Sequence, residues 1–225
     1  MATTTDHDHD HGLVMIVGLM MAIFLASFVS ADSDLLQDVC VADLASGVKV
    51  NGFPCKSNIS AEDFFFAGLA NPAVTNNTFG ATISLASVQQ IPGLNTLGLS
   101  MARVDYAPGG LNPPHTHPRA TEMVFVLEGE LDVGFITTDN KLYAKTIKKG
   151  EIFTFPRALL HYQRNNGKIP AAAIAAFNSQ SPGTQRVANA LFASSPMVED
   201  TVLTKTFQVG TKMVEKMKSR LAPKK

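Results

Sequence analysis

Neither sign of charge dominates this chain: 19 lysines and arginines balance 19 aspartates and glutamates, with no basic run before the last dozen residues. Nothing therefore argues for a nucleic-acid partner, and the lysines and arginine from Lys212 to Lys225 read as the solvated face of a terminal helix. A phosphate-binding glycine loop is also missing, which counts against phosphate-ester chemistry. Cysteine is nearly absent, with Cys40 and Cys55 alone, so a metal site would rest on nitrogen and oxygen donors. Histidine is sparse too. His7, His9 and His11 precede an apolar segment, which leaves His115, His117 and His161 for the rest of the chain.

That apolar segment runs from Leu13 to Ala31, interrupted only by Gly18, Ser27 and Ser30. Val29-Ser30-Ala31 supplies small residues at the cleavage positions of a secretory signal, so residues 1–31 are expected to be a signal peptide. The leader lacks lysine and arginine, and at about 1.5 Å per residue it is just long enough to span a bilayer, so an uncleaved anchor is the alternative. Cleavage would leave no membrane attachment and would remove the Asp-His alternation of residues 6 to 11, which resembles a chelator. In an oxidising compartment Cys40 and Cys55 should form a disulfide, worth about 3 kcal/mol on the chain-entropy model, that pins an N-terminal arm over residues 32–95. Free buried thiols are the alternative. Asn58-Ile59-Ser60 and Asn76-Asn77-Thr78 are sequons, making Asn58 and Asn76 candidate glycosylation sites.

The chain beyond residue 31 suits one domain, long enough to bury roughly 70% of its unfolded surface. Asp63 to Leu69, behind Ser60 as N-cap, reads as a short helix, and Asn71 to Thr82 as loop. From Thr96 the pattern changes to short strands punctuated by Gly, Pro and Asn. They are Leu97 to Met101, Met123 to Leu127, Leu131 to Thr137, Leu142 to Lys148, Glu151 to Phe155, Leu159 to Arg164 and Ala171 to Phe177. Such strands without intervening helices indicate an all-β sandwich or barrel, with its core over 96–181. After Pro182 the period becomes helical: Arg186 to Phe192 and Val202 to Leu221 read as two helices in the region 182–225. In the strand from Glu122 both alternating faces are apolar, which predicts an oligomer unless a second layer of the same chain covers the outer face.

The chemistry concentrates between Gly109 and Gly129. His115 and His117, two apart on an extended strand, direct both imidazoles to one face. Glu122 lies five residues past His117, the wrong parity for an unbroken strand, but a turn through Pro118, Arg119 and Ala120 resets it. His161 is the candidate fourth ligand. The bland alternative is that His-Thr-His caps a loop end and His161 is a satisfied strand histidine.

The spacing Gly109, five residues, His115-Thr-His117, four residues, Glu122, six residues, Gly129 resembles the first cupin box in its germin form. The second box comes later as Gly150, five residues, Pro156, then His161, three residues, Asn165. Leu-Gln-Asp-Val-Cys-Val-Ala-Asp (36 to 43), Val-Asn-Gly-Phe-Pro-Cys (50 to 55) and Pro-Arg-Ala-Thr-Glu (118 to 122) extend the resemblance to plant germin-like proteins over nearly the whole chain after the leader. The resemblance implies a cupin jelly-roll barrel, to which the helical period after Pro182 adds a C-terminal helical pair. It also implies Mn(II) held by His115, His117, Glu122 and His161, and a glycosylated homohexamer, a trimer of dimers, in the apoplast and cell wall. Three imidazoles and a carboxylate equally suit iron, nickel or zinc, so manganese rests on the resemblance.

Two residues depart from the family pattern. Ala158 stands where the second box usually has glycine, which would be strained if that position is left-handed. Oxalate-oxidising germins are similar to this chain at Asn112, a candidate catalytic residue, but have a second asparagine where it has Ala102. Three readings are open: a superoxide dismutase generating hydrogen peroxide in defence, an oxalate oxidase disfavoured by Ala102, and a non-catalytic cell-wall protein or receptor. Lys149-Gly150-Glu151 is a possible adhesion tripeptide but reads more simply as a turn.

Overall fold

Short alternating segments can bury one face each only by pairing into layers, and they form two five-stranded antiparallel sheets. The computed structural model describes residues 38–48 and 52–222; the expected leader lies outside them. Val39–Lys225 forms one compact unit.

The ten strands are β1 (Ala81–Ala86), β2 (Ser100–Tyr106), β3 (Leu111–Thr116), β4 (Glu122–Glu128), β5 (Glu130–Ile136), β6 (Leu142–Lys148), β7 (Ile152–Phe155), β8 (Leu160–Arg164), β9 (Ala171–Phe177) and β10 (Gln185–Arg186). One sheet has the order β1-β2-β9-β4-β7 and the other β10-β3-β8-β5-β6. This is the expected all-β jelly roll. Its core is filled by Tyr106, Val124, Val126, Leu131, Val133, Ile147 and Phe155, each essentially removed from water. Full burial of such a side chain stabilises by about 1.5–3 kcal/mol. Gly129, at φ 74°, turns β4 into β5, and a Cβ there would lie 3.0 Å from the Ala171 Cα and the Pro170 carbonyl.

On β4 the inner Val124 and Val126 are buried while Met123 and Phe125 are 47% and 39% exposed. Both faces are therefore apolar, and no layer of the described chain covers the outer one. Among the described residues no helix is long and apolar enough to cross a membrane.

The arm carries the expected Cys40–Cys55 disulfide. The helix expected over 63–69 is only a 3-10 turn, Ala61–Phe64. The Ser60 N–H donates to Asp63 Oδ2 at 2.8 Å, but Phe65 is already extended, and a segment this short has too few backbone bonds to offset helix nucleation. Strand β1 begins inside the stretch 71–82 expected to be loop, and it lies within the region assigned to the arm. Its backbone pairs with β2 from Ala81↔Tyr106 to Ala86↔Met101. The strand expected at Leu97–Met101 starts at Ser100, because Thr96 and Gly98 both take positive φ. The helix expected over 202–221 is two, so the C-terminal region holds α1 (Val187–Phe192), α2 (Asp200–Phe207) and α3 (Thr211–Leu221). Gln208, left-handed at φ 53°, ends α2, and Gly210 caps α3. The break folds the helices back on one another around Phe192, Leu203 and Val214.

The turn at Pro156 to Leu159 places His161. Leu159 N–H donates to the Pro156 carbonyl, and Ala158 sits inside this turn at φ 64°, so the family glycine position is left-handed and the alanine is strained. Ala158→Gly is expected to raise stability by about 1 kcal/mol, a shift of roughly 2–4 °C in a thermal melt. An unchanged or lower melting temperature would show that the turn carries no strain.

Candidate metal centre

His115 and His161 are register partners on β3 and β8, so their side chains share the inner face, with ring centroids 4.2 Å apart. His117 comes after β3 on the same face. The chain then turns at Pro118 and Arg119 and crosses to the opposite sheet, where Glu122 opens β4 and pairs with Phe177 of β9. The turn thus does more than reset parity, because it delivers the carboxylate from the facing layer. Two contacts zip the ligand-bearing turns together: Ala158 N–H donates to the His117 carbonyl at 3.2 Å, and Arg157 Nε to the Pro118 carbonyl at 3.1 Å.

All four side chains are buried, and their ligand atoms lie within 4.8 Å of one another. Nδ1 of His115 donates to the Pro113 carbonyl, Nδ1 of His161 to Leu159, both at 2.8 Å, and Nδ1 of His117 to Gly183. A carbonyl can only accept, so in each neutral ring the proton is on Nδ1 and the Nε2 lone pair faces the centre. Yet Nε2 of His117 and of His161 lie 3.0 and 3.1 Å from Glu122 Oε2. Lone pairs so close to a carboxylate require a shared positive centre, either protons on Nε2 or a cation held by the group. The donor set fits a divalent cation, which His115, His117, Glu122 and His161 would hold through three nitrogens and a carboxylate oxygen.

Burial pushes the His115 imidazole down to about 4, helped by His161 and opposed by Glu122. For Glu122, burial raises the carboxyl, but its contacts with His117 and His161 outweigh this and hold it at about 2.

Asn112, the candidate catalytic residue, is buried against the group. Its Nδ2 donates to Gln163 Oε1 at 2.7 Å, and Gln163 Nε2 donates to Glu122 Oε1 at 2.9 Å. Sequence reasoning does not single out Gln163; its position two beyond His161 on one strand, hence on the same face, is the signal that could have found it. Above the group opens a cavity of about 390 Å³. Two small residues, Ala102 and Ala175, face it, whereas Tyr106, Leu131, Ile147 and Phe155 fill the adjoining core. Ala102 lies on the cavity wall with Ile83, Val104 and Phe177.

Two outcomes are expected. Gln163→Leu strands the Asn112 amide and one Glu122 oxygen, so affinity for a bound divalent ion should fall about 10–100-fold in a chelator competition; equal affinity would make Gln163 a spectator. In metal-free protein, the unfolded chain takes up its His115 proton near 6.5 and the folded chain only near 4, so stability is intact above 6.5 and falls as pH drops to about 4. Glu122, ordinarily 4.5, works in the same direction between 4.5 and about 2. The urea midpoint of metal-free protein should therefore be lower at about pH 4 than at about pH 7.

The model of the family described as "Cupin" matches residues 67–215. A rice (Oryza sativa subsp. japonica) protein, germin-like protein 5-1, is 65% identical over 211 residues, covering 94% of this chain and 96% of its own. The rhicadhesin receptor of Pisum sativum is 66% identical over 195 residues, covering 86% and 90%. A solved structure of oxalate oxidase superposes with a TM-score of 0.79 at 45% identity, covering 84% of this chain and 96% of that one. A jelly roll that brings three histidines and one glutamate together at its mouth, with relatives this similar over almost their full lengths, belongs to the germin-like proteins of the cupin family.

Proposed function

We propose that the chain is a secreted, manganese-binding germin-like protein of the plant apoplast that dismutes superoxide, converting two superoxide ions and two protons to hydrogen peroxide and dioxygen. The observation that carries this reading is the donor set itself: three buried imidazoles locked at Nδ1 and one carboxylate, at the floor of a cavity. A manganese ion held by His115, His117, Glu122 and His161 would supply one-electron chemistry there. The chain's own contribution is to hold the donors, through the Nδ1 bonds and through Gln163, and to keep bulk water back with the apolar wall of Ile83, Val104 and Phe177. Superoxide needs little recognition beyond access, which Ala102 leaves open.

Oxalate oxidation is the reading favoured by the likeness to the oxalate oxidase structure. It is weakened because Ala102, buried on the cavity wall, offers no amide to a bound dicarboxylate. A hydrogen bond to a charged group is worth about 1.5–3 kcal/mol. A non-catalytic wall protein or receptor is favoured by the similarity to the pea rhicadhesin receptor. The exposed apolar face of β4 supports a homohexamer, and Asn58 and Asn76, both exposed, are open to glycosylation.

Elemental mass spectrometry on the glycosylated protein from its native wall should find close to one manganese per chain, with superoxide and not oxalate consumed. Ala102→Asn should then raise oxalate turnover about ten-fold or more. Folded protein with only zinc or no metal would end the redox readings in favour of the receptor.

A further inference from the structure

A cavity of about 390 Å³ is far larger than a diatomic anion needs. Its rim carries one cation. Arg186 closes β10, and its register partner on β3 is His115, so the two side chains share a face. Arg186 lines the cavity, and its half-buried side chain rests its guanidinium over the Phe79 ring beside the cavity, 5.6 Å from the ring centroid. The neighbouring arginines are engaged: Arg119 Nε donates to the Ser181 carbonyl at 2.8 Å and Arg157 Nε to that of Pro118. Arg103 pairs with Asp105 at 3.0 Å. Arg186 has no carboxylate within ion-pair distance among the described residues.

We propose that Arg186 is the anion-docking residue of this cavity, and that the cavity takes a monocarboxylate with a compact apolar body. The carboxylate lies on the guanidinium fork and the body lies against Ile83, Leu85 and Val104. A single guanidinium, with no lysine or second arginine on the cavity wall among the described residues, matches one negative charge better than a phosphate monoester's two. The inference rests on the site reading above for the ligand's location, and not on any redox activity there.

The test is calorimetric titration of the glycosylated protein with benzoate, benzamide and phenyl phosphate, metal content being measured on every sample. Benzoate should bind, benzamide and phenyl phosphate about ten-fold more weakly or worse. Arg186→Gln should weaken benzoate about 10–100-fold at unchanged metal content and melting temperature, and Arg186→Lys should fall between, since it keeps the charge but loses the fork. Benzoate should still bind protein stripped of metal. Absence of benzoate binding to the wild type, equal binding to Arg186→Gln, or loss of binding on stripping would overturn the assignment. A wild type without manganese would sink the redox reading alone, because the benzoate comparison is read independently of it.

Discussion

A carboxylate buried among three imidazoles is the constraint on which the rest of this structure depends. Glu122 sits at the mouth of the barrel, where burial pushes its carboxyl up, and its contacts with His117 and His161 outweigh that and hold it low. These contacts require both sheets at once. His115 and His161 come from adjacent strands of one layer and Glu122 from the other, so the site exists only when the sandwich is closed. The three Nδ1 bonds to backbone carbonyls make each ring orientation a property of the main chain, and the Asn112-Gln163 pair does the same for the carboxylate. Breaking either support leaves buried polar groups unpaired.

The cavity lies beside the filled core, with small residues among those on its wall. Tyr106, Leu131, Ile147 and Phe155 fill the core, and Ala102 and Ala175 stand at the cavity wall. Ala102 is buried on the cavity wall, where its methyl group offers no hydrogen bond and takes up little space. The site is therefore tuned by wall residues, while its ligands stay as the box spacing requires.

Much of the fold and the site is legible in the sequence because it depends on local periodicity. The His-Thr-His spacing places two imidazoles on one face of any strand, and Pro118 announces the turn. Six of the seven expected strands lie near their expected places for the same reason. The elements that local pattern misplaces depend on non-local terms. Strand β1 forms because β2 offers a partner edge, although its own segment comes after a loop-like run. The terminal helix splits because Gln208 and Gly210 allow α2 and α3 to fold onto α1, which no periodicity over 202–221 reveals.

By itself the sequence determined the family, the four candidate ligands and the disulfide partners, because each is a matter of residue type at fixed spacing. Only the tertiary structure decided that Glu122 arrives from the opposite sheet, that Gln163 and Asn112 brace it, that Ala158 occupies a left-handed turn, and that Arg186 lines the cavity with no carboxylate in ion-pair distance among the described residues. These are distances between residues far apart in the chain, and they are set by strand order and register, which local pattern leaves open.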